Sequence, residues 1–436
     1  MATAASKISL TDVRELPPNR ELFDGGKGAV AGFGIRRQRS TAIAYILLFR
    51  TAEGRSCRYT IGRHGAPWTP ETARAKAKAI LAEAAGGADP AAAKQELRDA
   101  PTVKELCERY LAAAKAGRLT TRRGGTKKAS TLDSDTSRIN SHVLPLLGNK
   151  KAMTVTTNDL EEFMHAVADG KTHRREKLDK PRAFRNVRGG MGTASRTIGL
   201  LGAIFNYAVK VGICTHNPAT GVLRPADGKR DRRLSDDEFV LLHDGLLKAT
   251  EAGMWPHAVA AARFLALTGW RSGEAIGLRW KEVDLDRRTA RLGDTKTGAS
   301  LRPLSRAACA VLTTQKAATG GAAEALVFPP SRGETTMTGF KRFMARIGRL
   351  GGLPAEITAH TLRHSFASVC ADLDMTETTI AALIGHKGRS VTSRYIHSAD
   401  AVLLAAADKV AGEIARRMEP SQRGSAEIVQ LHAATA

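Results

Sequence analysis

The stretch ITAHTLRHSFAS, residues 357–368, sets His360 three residues before Arg363. Its pattern predicts a helix, on which residues three apart leave from one face. Further along, LIGHKGRSVTSRYIH (383–397) places His386 behind a glycine at a predicted helix end and Tyr395 nine residues later. Upstream, LTGWRSGEAIGLRW (267–280) holds Arg271 and Glu274. Between them RRTARLGDTKTGASLRPLS (287–305) reads as a strand hairpin with Lys296 at its tip, in GDTKTG (293–298). Two arginines can hold a phosphate bidentately. Together with the histidines, the lysine and the tyrosine they form a phosphate-directed set with no evident metal cage. The chemistry that fits is attack of a tyrosine oxygen on a phosphodiester, with cationic donors stabilising the pentavalent transition state. Taken singly, each residue has a plainer reading. Arg271 alone reads as a surface residue, and His360 with His364 as structural histidines or a metal pair. Lys296 alone reads as hairpin solubility and Tyr395 as core.

The chain has 436 residues and a mass of 46.6 kDa, which predicts two or three domains. It carries 67 Lys and Arg against 43 Asp and Glu, a formal charge of +24 that favours a polyanionic partner, most often nucleic acid. An Arg- and Ala-rich soluble protein has the same composition. Aromatic residues make up 5%, too few for a binder built mainly on base stacking. Apolar-periodic segments recur throughout, which excludes a wholly disordered chain. No stretch approaches ~18–20 uninterrupted apolar residues, so no membrane span is expected. The N-terminal residues lack an apolar signal-peptide core, and an intracellular, cytoplasmic protein is expected. Five scattered cysteines without a C-x-x-C pair suit reduced thiols rather than zinc or disulfides. There is no P-loop and no H-E-x-x-H, so neither an ATP site nor a metal or other cofactor is expected.

Residues of about 20–65 read as short strands, with Arg36, Arg37, Arg50, Arg58 and Arg63 on or near them. A sheet with a basic face can enter a DNA groove, although a solvated face is the commoner case. A helix follows, capped at Thr69 with Pro70 in its first turn, and stops at Gly86-Gly87 and Asp89-Pro90. From about 101 to 225 four helices are predicted: from Val103, over 131–148 and cut at Pro145 and Gly148, after a cap at Thr157, and over 192–212. Arg138 and His142, one turn apart on the second, are candidate groove contacts beside a solvated-face alternative. The basic runs 117–128 and 171–190 are expected as mobile loops that track phosphates. Ser235 and Glu238 form a capping box that opens the last domain, and a further amphipathic helix is predicted over about 399–418. That helix is equally suited to dock on a neighbouring subunit or to pack on its own chain.

TGWRSGE, then H-T-L-R-H, then G-H with a tyrosine nine residues after the histidine, resemble in order and spacing the tyrosine recombinase (phage integrase) family. The resemblance is strong over about 233–400 and less specific over 101–220. Residues 20–90 resemble the arm-type DNA-binding module of prophage and genomic-island integrases through AGFGIRR, YTIGRHG and TPETARAKAKAILAEAAGGADP. It implies a mainly α fold with small β elements in three domains: an arm-type domain over 1–95, a helical core-binding domain over 101–220, a basic linker over 221–234 and a catalytic domain over 235–420, with a flexible tail over 421–436. The domains would form a clamp on double-stranded DNA, as a homotetramer, with DNA-bending and directionality factors as further partners, in the nucleoid. Position by position, Arg271 and Arg363 resemble the two arginines that clamp the scissile phosphate, and Lys296 the hairpin general acid, with Lys281 as the competing lysine. His360 resembles the general acid/base, His386 a donor to a phosphate oxygen, and Tyr395 the nucleophile that leaves a 3′-phosphotyrosine. Glu274 would orient an arginine. The implied function is an integrase. A chromosome-dimer-resolving recombinase, a type IB topoisomerase and a non-catalytic DNA-binding regulator are the alternatives.

Overall fold

The computed structural model describes residues 2–39, 42–121, 124–177, 183–225, 232–295, 298–386 and 400–419, and the chain divides into two compact units, 1–228 and 229–436. The first unit opens with β1 (Ala2–Thr3), α1 (Leu10–Glu15), β2 (Glu21–Phe23), β3 (Phe33–Arg37), β4 (Ile43–Arg50) and β5 (Ser56–Arg63). These strands form one sheet in sequential order, antiparallel except for β1 on β2. The helix α2 (Pro70–Ala85) begins at a Thr69 capping box and packs Ala73, Ala77, Ile80 and Ala84 toward the sheet. Its small residues at helical spacing let the backbone approach the strands closely. Arg74 of α2 reaches Asp24, which also accepts from the Ile8 and Val30 amides. Burial raises the Asp24 pKa, but Arg74 and the two amides outweigh it and the carboxyl lies below its usual range. This contact ties down the N-terminal segment, where β1 and α1 are too short to show periodicity in sequence.

The basic sheet face is partly occupied within the chain. Arg36 and Arg58 converge on Glu21 at 3.6 and 3.2 Å, and Arg37 donates to the Leu16 carbonyl at 2.7 Å. Asp89-Pro90, expected as a stop, also starts the helix α3 (Pro90–Asp99): Asp89 caps it and Pro90 takes the first position, where its missing N–H costs nothing.

The helical part of this unit comprises α4 (Val103–Lys115), α5 (Ala129–Arg138), α6 (Leu144–Leu147), α7 (Thr157–Ala168) and α8 (Met191–Lys210), with β6 (Arg174–Lys177) and β7 (Phe184–Val187) between the last two. Leu106, Tyr110, Phe163, Leu201 and Phe205 share its core. Four expectations are corrected. Pro145 does not cut the second helix, because a π-helical turn over Ile139–Val143 leads into α6 with Pro145 in its first turn, where no donor is needed. The cap of α7 is Thr156, whose hydroxyl pairs with Asp159 in a capping box, rather than Thr157. The run 171–190 contains a hairpin: Glu176 accepts from Arg174 at 2.6 Å and Arg185 at 2.8 Å, so the acid among the bases orders two strands. Finally, His142 is buried and hydrogen-bonded to Thr172 Oγ1 at 2.7 Å, so it cannot enter a groove. Burial, and then the charges of Arg174 and Arg138, hold its imidazole below the usual histidine range.

The second unit contains α9 (Asp236–Glu251), α10 (Pro256–Thr268), α11 (Ser272–Ile276), β8 (Val283–Asp284), β9 (Thr289–Thr295), β10 (Gly298–Pro303), α12 (Arg306–Thr319), α13 (Phe340–Gly351), α14 (Ala359–Asp372), α15 (Glu377–Ile384) and α16 (Asp400–Met418). Its sheet runs β10-β9-β8, all antiparallel. Helix α10 is apolar except at His257, Arg263 and Thr268 and sits at the centre, with Ala258, Ala262, Phe264 and Leu265 buried. Ala407, Val410, Ala411, Ile414 and Met418 of α16 join the same core, and Arg288 holds Asp408 through two bonds of 2.9 Å. Thus α16 packs on its own chain. Among the described residues no helix is long and apolar enough to cross a membrane.

Candidate functional site

The site begins where α10 ends. Gly269 has φ 62° and returns its N–H to Leu265, closing the helix in the left-handed region that glycine enters without steric cost. A Cβ there would lie 2.6 Å from the Phe366 ring of α14. Both facts predict that Gly269→Ala destabilises this unit by about 1–3 kcal/mol, read as a lower denaturant midpoint with an unchanged slope. Trp270 follows, buried edge-on against Phe264 at 5.2 Å between ring centres.

Arg271 then stands at the N-terminus of α11. Its backbone N–H donates to Glu274 Oε2 at 3.2 Å and its Nη1 to Oε1 at 2.7 Å, so one carboxylate caps the helix and fixes the guanidinium. Arg363, on α14, is 4% exposed. Its Nη1 donates to the Gly269 carbonyl at 3.0 Å and the Ile384 carbonyl at 2.8 Å, while Nη2 is buried and has no hydrogen-bond partner among the described residues. Ile384 ends α15, Gly385 caps it at φ 68°, and His386 comes next.

Arg302, on β10, completes the cluster and has no counterpart among the sequence candidates. Its guanidinium is fully buried, donates to Glu274 Oε2 at 3.3 Å, to the Ile384 carbonyl at 3.0 Å and to Ser300 Oγ at 2.8 Å, and lies 5.3 Å over the Trp270 ring. The strand alternation held the signal. Ser300 and Arg302 share the inward face while Leu301 points out, the reverse of what hydrophobicity alone suggests.

Two guanidiniums, those of Arg271 and Arg302, therefore share one carboxylate, Glu274, whose charge also reaches Arg363. Burial first, then the like charges of Arg271 and Arg302 against the pull of Glu274, push Arg363 down to about 10, still cationic at neutral pH. Arg302 is lowered chiefly by burial. His386 keeps exposed surface, but loss of hydration around its ring, and then Arg363, Arg271 and Arg302, lower its pKa and favour the neutral imidazole.

The structure thus gathers Arg271, Glu274, Arg363 and His386 from the sequence candidates. His360 shares α14 with Arg363 but is exposed, and its ring meets His364 edge-on at 4.6 Å. Lys281, the competitor of Lys296, is paired with Glu324 at 2.8 Å. Lys296 and Tyr395 lie outside the described residues, as does the segment 421–436.

Residues 233–401 match the phage integrase family and residues 4–97 the arm DNA-binding domain. A tyrosine recombinase XerC from Rhodospirillum centenum is 30% identical over 215 residues, covering 47% of this chain and 62% of the relative. A shufflon-specific DNA recombinase from Escherichia coli is 30% identical over 254 residues, covering 57% of this chain and 61% of the relative. The chain thus spans about three fifths of the length of these curated relatives. The lambda integrase tetramer bound to a Holliday junction aligns with a TM-score of 0.54 at 19% identity, over 87% of this chain and 98% of that one. Lambda integrase bound as a dimer to a core site gives 0.53 at 19% identity, over 85% of this chain and 96% of that one. The chain carries a domain of the phage integrase family behind an arm DNA-binding domain, in a mainly helical fold with small sheets like that of lambda integrase. The family resemblance read from the motifs and the expected fold class are both borne out.

Proposed function

We propose that the chain is a site-specific tyrosine recombinase that integrates and excises a prophage or genomic island. The observation that carries this reading is the buried Arg363 Nη2, without a hydrogen-bond partner among the described residues, in a cluster of three guanidiniums around the single carboxylate of Glu274. A buried donor without a partner costs about 1–3 kcal/mol unless a ligand supplies the acceptor. A phosphodiester oxygen supplies it, with the negative charge the cluster lacks.

In the proposed reaction the Tyr395 oxygen attacks the scissile phosphorus, the bond to the 5′ oxygen breaks, and the phosphate stays on the 3′ end as phosphotyrosine. His360 takes the tyrosine proton, and Lys296 protonates the leaving 5′ oxygen. Arg271, Arg363 and the neutral His386 donate to the non-bridging oxygens, where charge builds in the transition state. The phosphotyrosine retains the phosphodiester linkage for rejoining, so neither ATP nor a metal is required. The arm DNA-binding domain supports an integrase over a chromosome-dimer-resolving recombinase. We further propose action as a homotetramer on two duplexes, in the nucleoid, with bending and directionality factors.

The test is a nicked suicide duplex, its core sequence selected from a random library by binding to the full chain, incubated in EDTA and run on a denaturing gel. A covalent protein–DNA band supports the reading. Bound DNA without such a band points to the non-catalytic regulator instead. Binding itself is expected to weaken about 10³–10⁵-fold between 50 and 200 mM salt if six to ten phosphates are contacted, as measured by fluorescence anisotropy.

A further inference from the structure

We infer that Arg302 is a positioning residue of the phosphate site, one that sets the spacing of Arg271, Arg363 and His386 without touching the phosphate itself. This rests on the reading of the site as a phosphodiester-cleaving centre.

Two of its three hydrogen bonds run to elements that carry the phosphate-facing residues. Nη2 grips Glu274, which holds Arg271. Nη1 grips the Ile384 carbonyl, which also receives Arg363. That carbonyl ends α15 immediately before Gly385 and His386, where the helix presents its negative end. One planar fork therefore joins α11 to the end of α15, at the carbonyl where α14 is tied in through Arg363. A lysine, as a single point donor, cannot span Glu274 and Ile384 in the same way.

The placement is costly for a merely structural residue. An aliphatic side chain of similar volume fills a buried strand position without the desolvation that lowers the pKa of Arg302. Arg302 is also matched to its neighbour: a Cβ on Gly385 would lie 1.9 Å from Arg302 Cζ, on backbone already at φ 68°. Glycine at 385 is what admits the guanidinium. With no exposed surface and each of its three nitrogens already bonded within the protein, Arg302 is out of reach of DNA.

The test uses the full chain with Arg302→Met, which keeps the apolar stem under Trp270, and Arg302→Lys, which keeps the charge. Three quantities are read: the dissociation constant for the selected DNA, the single-turnover rate of covalent adduct formation, and the titration of the His386 imidazole by NMR of histidine-labelled protein without DNA. Arg302→Met is expected to slow adduct formation about 100-fold, the penalty of a small misplacement at a reacting centre. DNA affinity should stay within about threefold, since no phosphate contact is lost. The His386 signal should titrate at higher pH, because a neighbouring positive charge is gone. Arg302→Lys is expected to restore the His386 titration but little of the rate; if the Met variant fails to fold, the Lys variant decides. An unchanged rate overturns the inference, and so does a loss of rate matched by an equal loss of affinity and of thermal stability. If the wild-type chain forms no adduct, the recombinase reading falls on its own. The His386 titration then still judges Arg302: a signal unmoved in Arg302→Met overturns its role.

Discussion

Tyr395→Phe is expected to abolish the covalent protein–DNA adduct, lowering its rate of formation by roughly 10⁴–10⁶-fold, the scale seen when an enzyme loses its nucleophile. Phenylalanine keeps the ring and removes only the oxygen that would bond to phosphorus. DNA affinity should therefore remain within about twofold, because on the proposed reading binding rests on phosphate neutralisation by many basic residues. The measurement is the denaturing gel with the nicked duplex, run for both proteins beside an anisotropy titration. An adduct that persists in Tyr395→Phe moves the nucleophile elsewhere. Loss of binding together with the adduct makes the tyrosine a DNA contact or a packing residue. His386 lies nine residues before this tyrosine and within the influence of three arginines, so on the proposed reading one short segment of sequence links nucleophile and phosphate site.

Arg363→Lys is expected to lower the adduct rate by about 10²–10³-fold, the cost of removing one preorganised donor to a developing oxyanion. Lysine keeps the positive charge but cannot donate to Gly269 and Ile384 and also present a second nitrogen to the phosphate. Arg363→Met should cost more in both rate and stability. It leaves two buried carbonyls with fewer donors, each loss worth about 1–3 kcal/mol, so its thermal midpoint should fall below that of the Lys variant. The salt dependence of DNA binding separates the effects: loss of one phosphate contact lowers the logarithmic slope by about one. An Arg363→Lys enzyme with the wild-type rate would place the phosphate elsewhere.

Local chemistry was the most legible. The capping boxes at Thr69 and at Ser235 with Glu238, the glycine stop after α15 and the hairpin of β9 and β10 each follow from neighbouring residues whose hydrogen bonds close within one turn. The four-residue offset of the two candidate histidines on α14 was equally local, but whether either ring faces the site was not. His360 is exposed, whereas Arg363 three residues later is buried.

The misreadings share a cause. Pro145 looked like a break because the pattern cannot show a π-turn that absorbs it. Residues 171–190 looked like a mobile loop that tracks phosphates, since the order supplied by Glu176 appears only when Arg174 and Arg185 come from facing strands. His142 looked like a groove contact until Thr172, thirty residues away, closed over it.

By itself the sequence determined the resemblance to the phage integrase family, the mainly helical class and the candidates for a phosphate-directed site, because motif order and helix punctuation are encoded within a few residues of each other. Only the tertiary structure decided how those residues are charged and held. Arg302 sits at an inward strand position where hydrophobicity pointed to Leu301, and its partners Glu274 and Ile384 lie 28 and 82 residues away along the chain. Its burial, the sharing of Glu274 and the Arg363 nitrogen left without a partner among the described residues arise when α11, α14, α15 and β10 converge. Desolvation and charge coupling are properties of that convergence, and no stretch of sequence carries them alone.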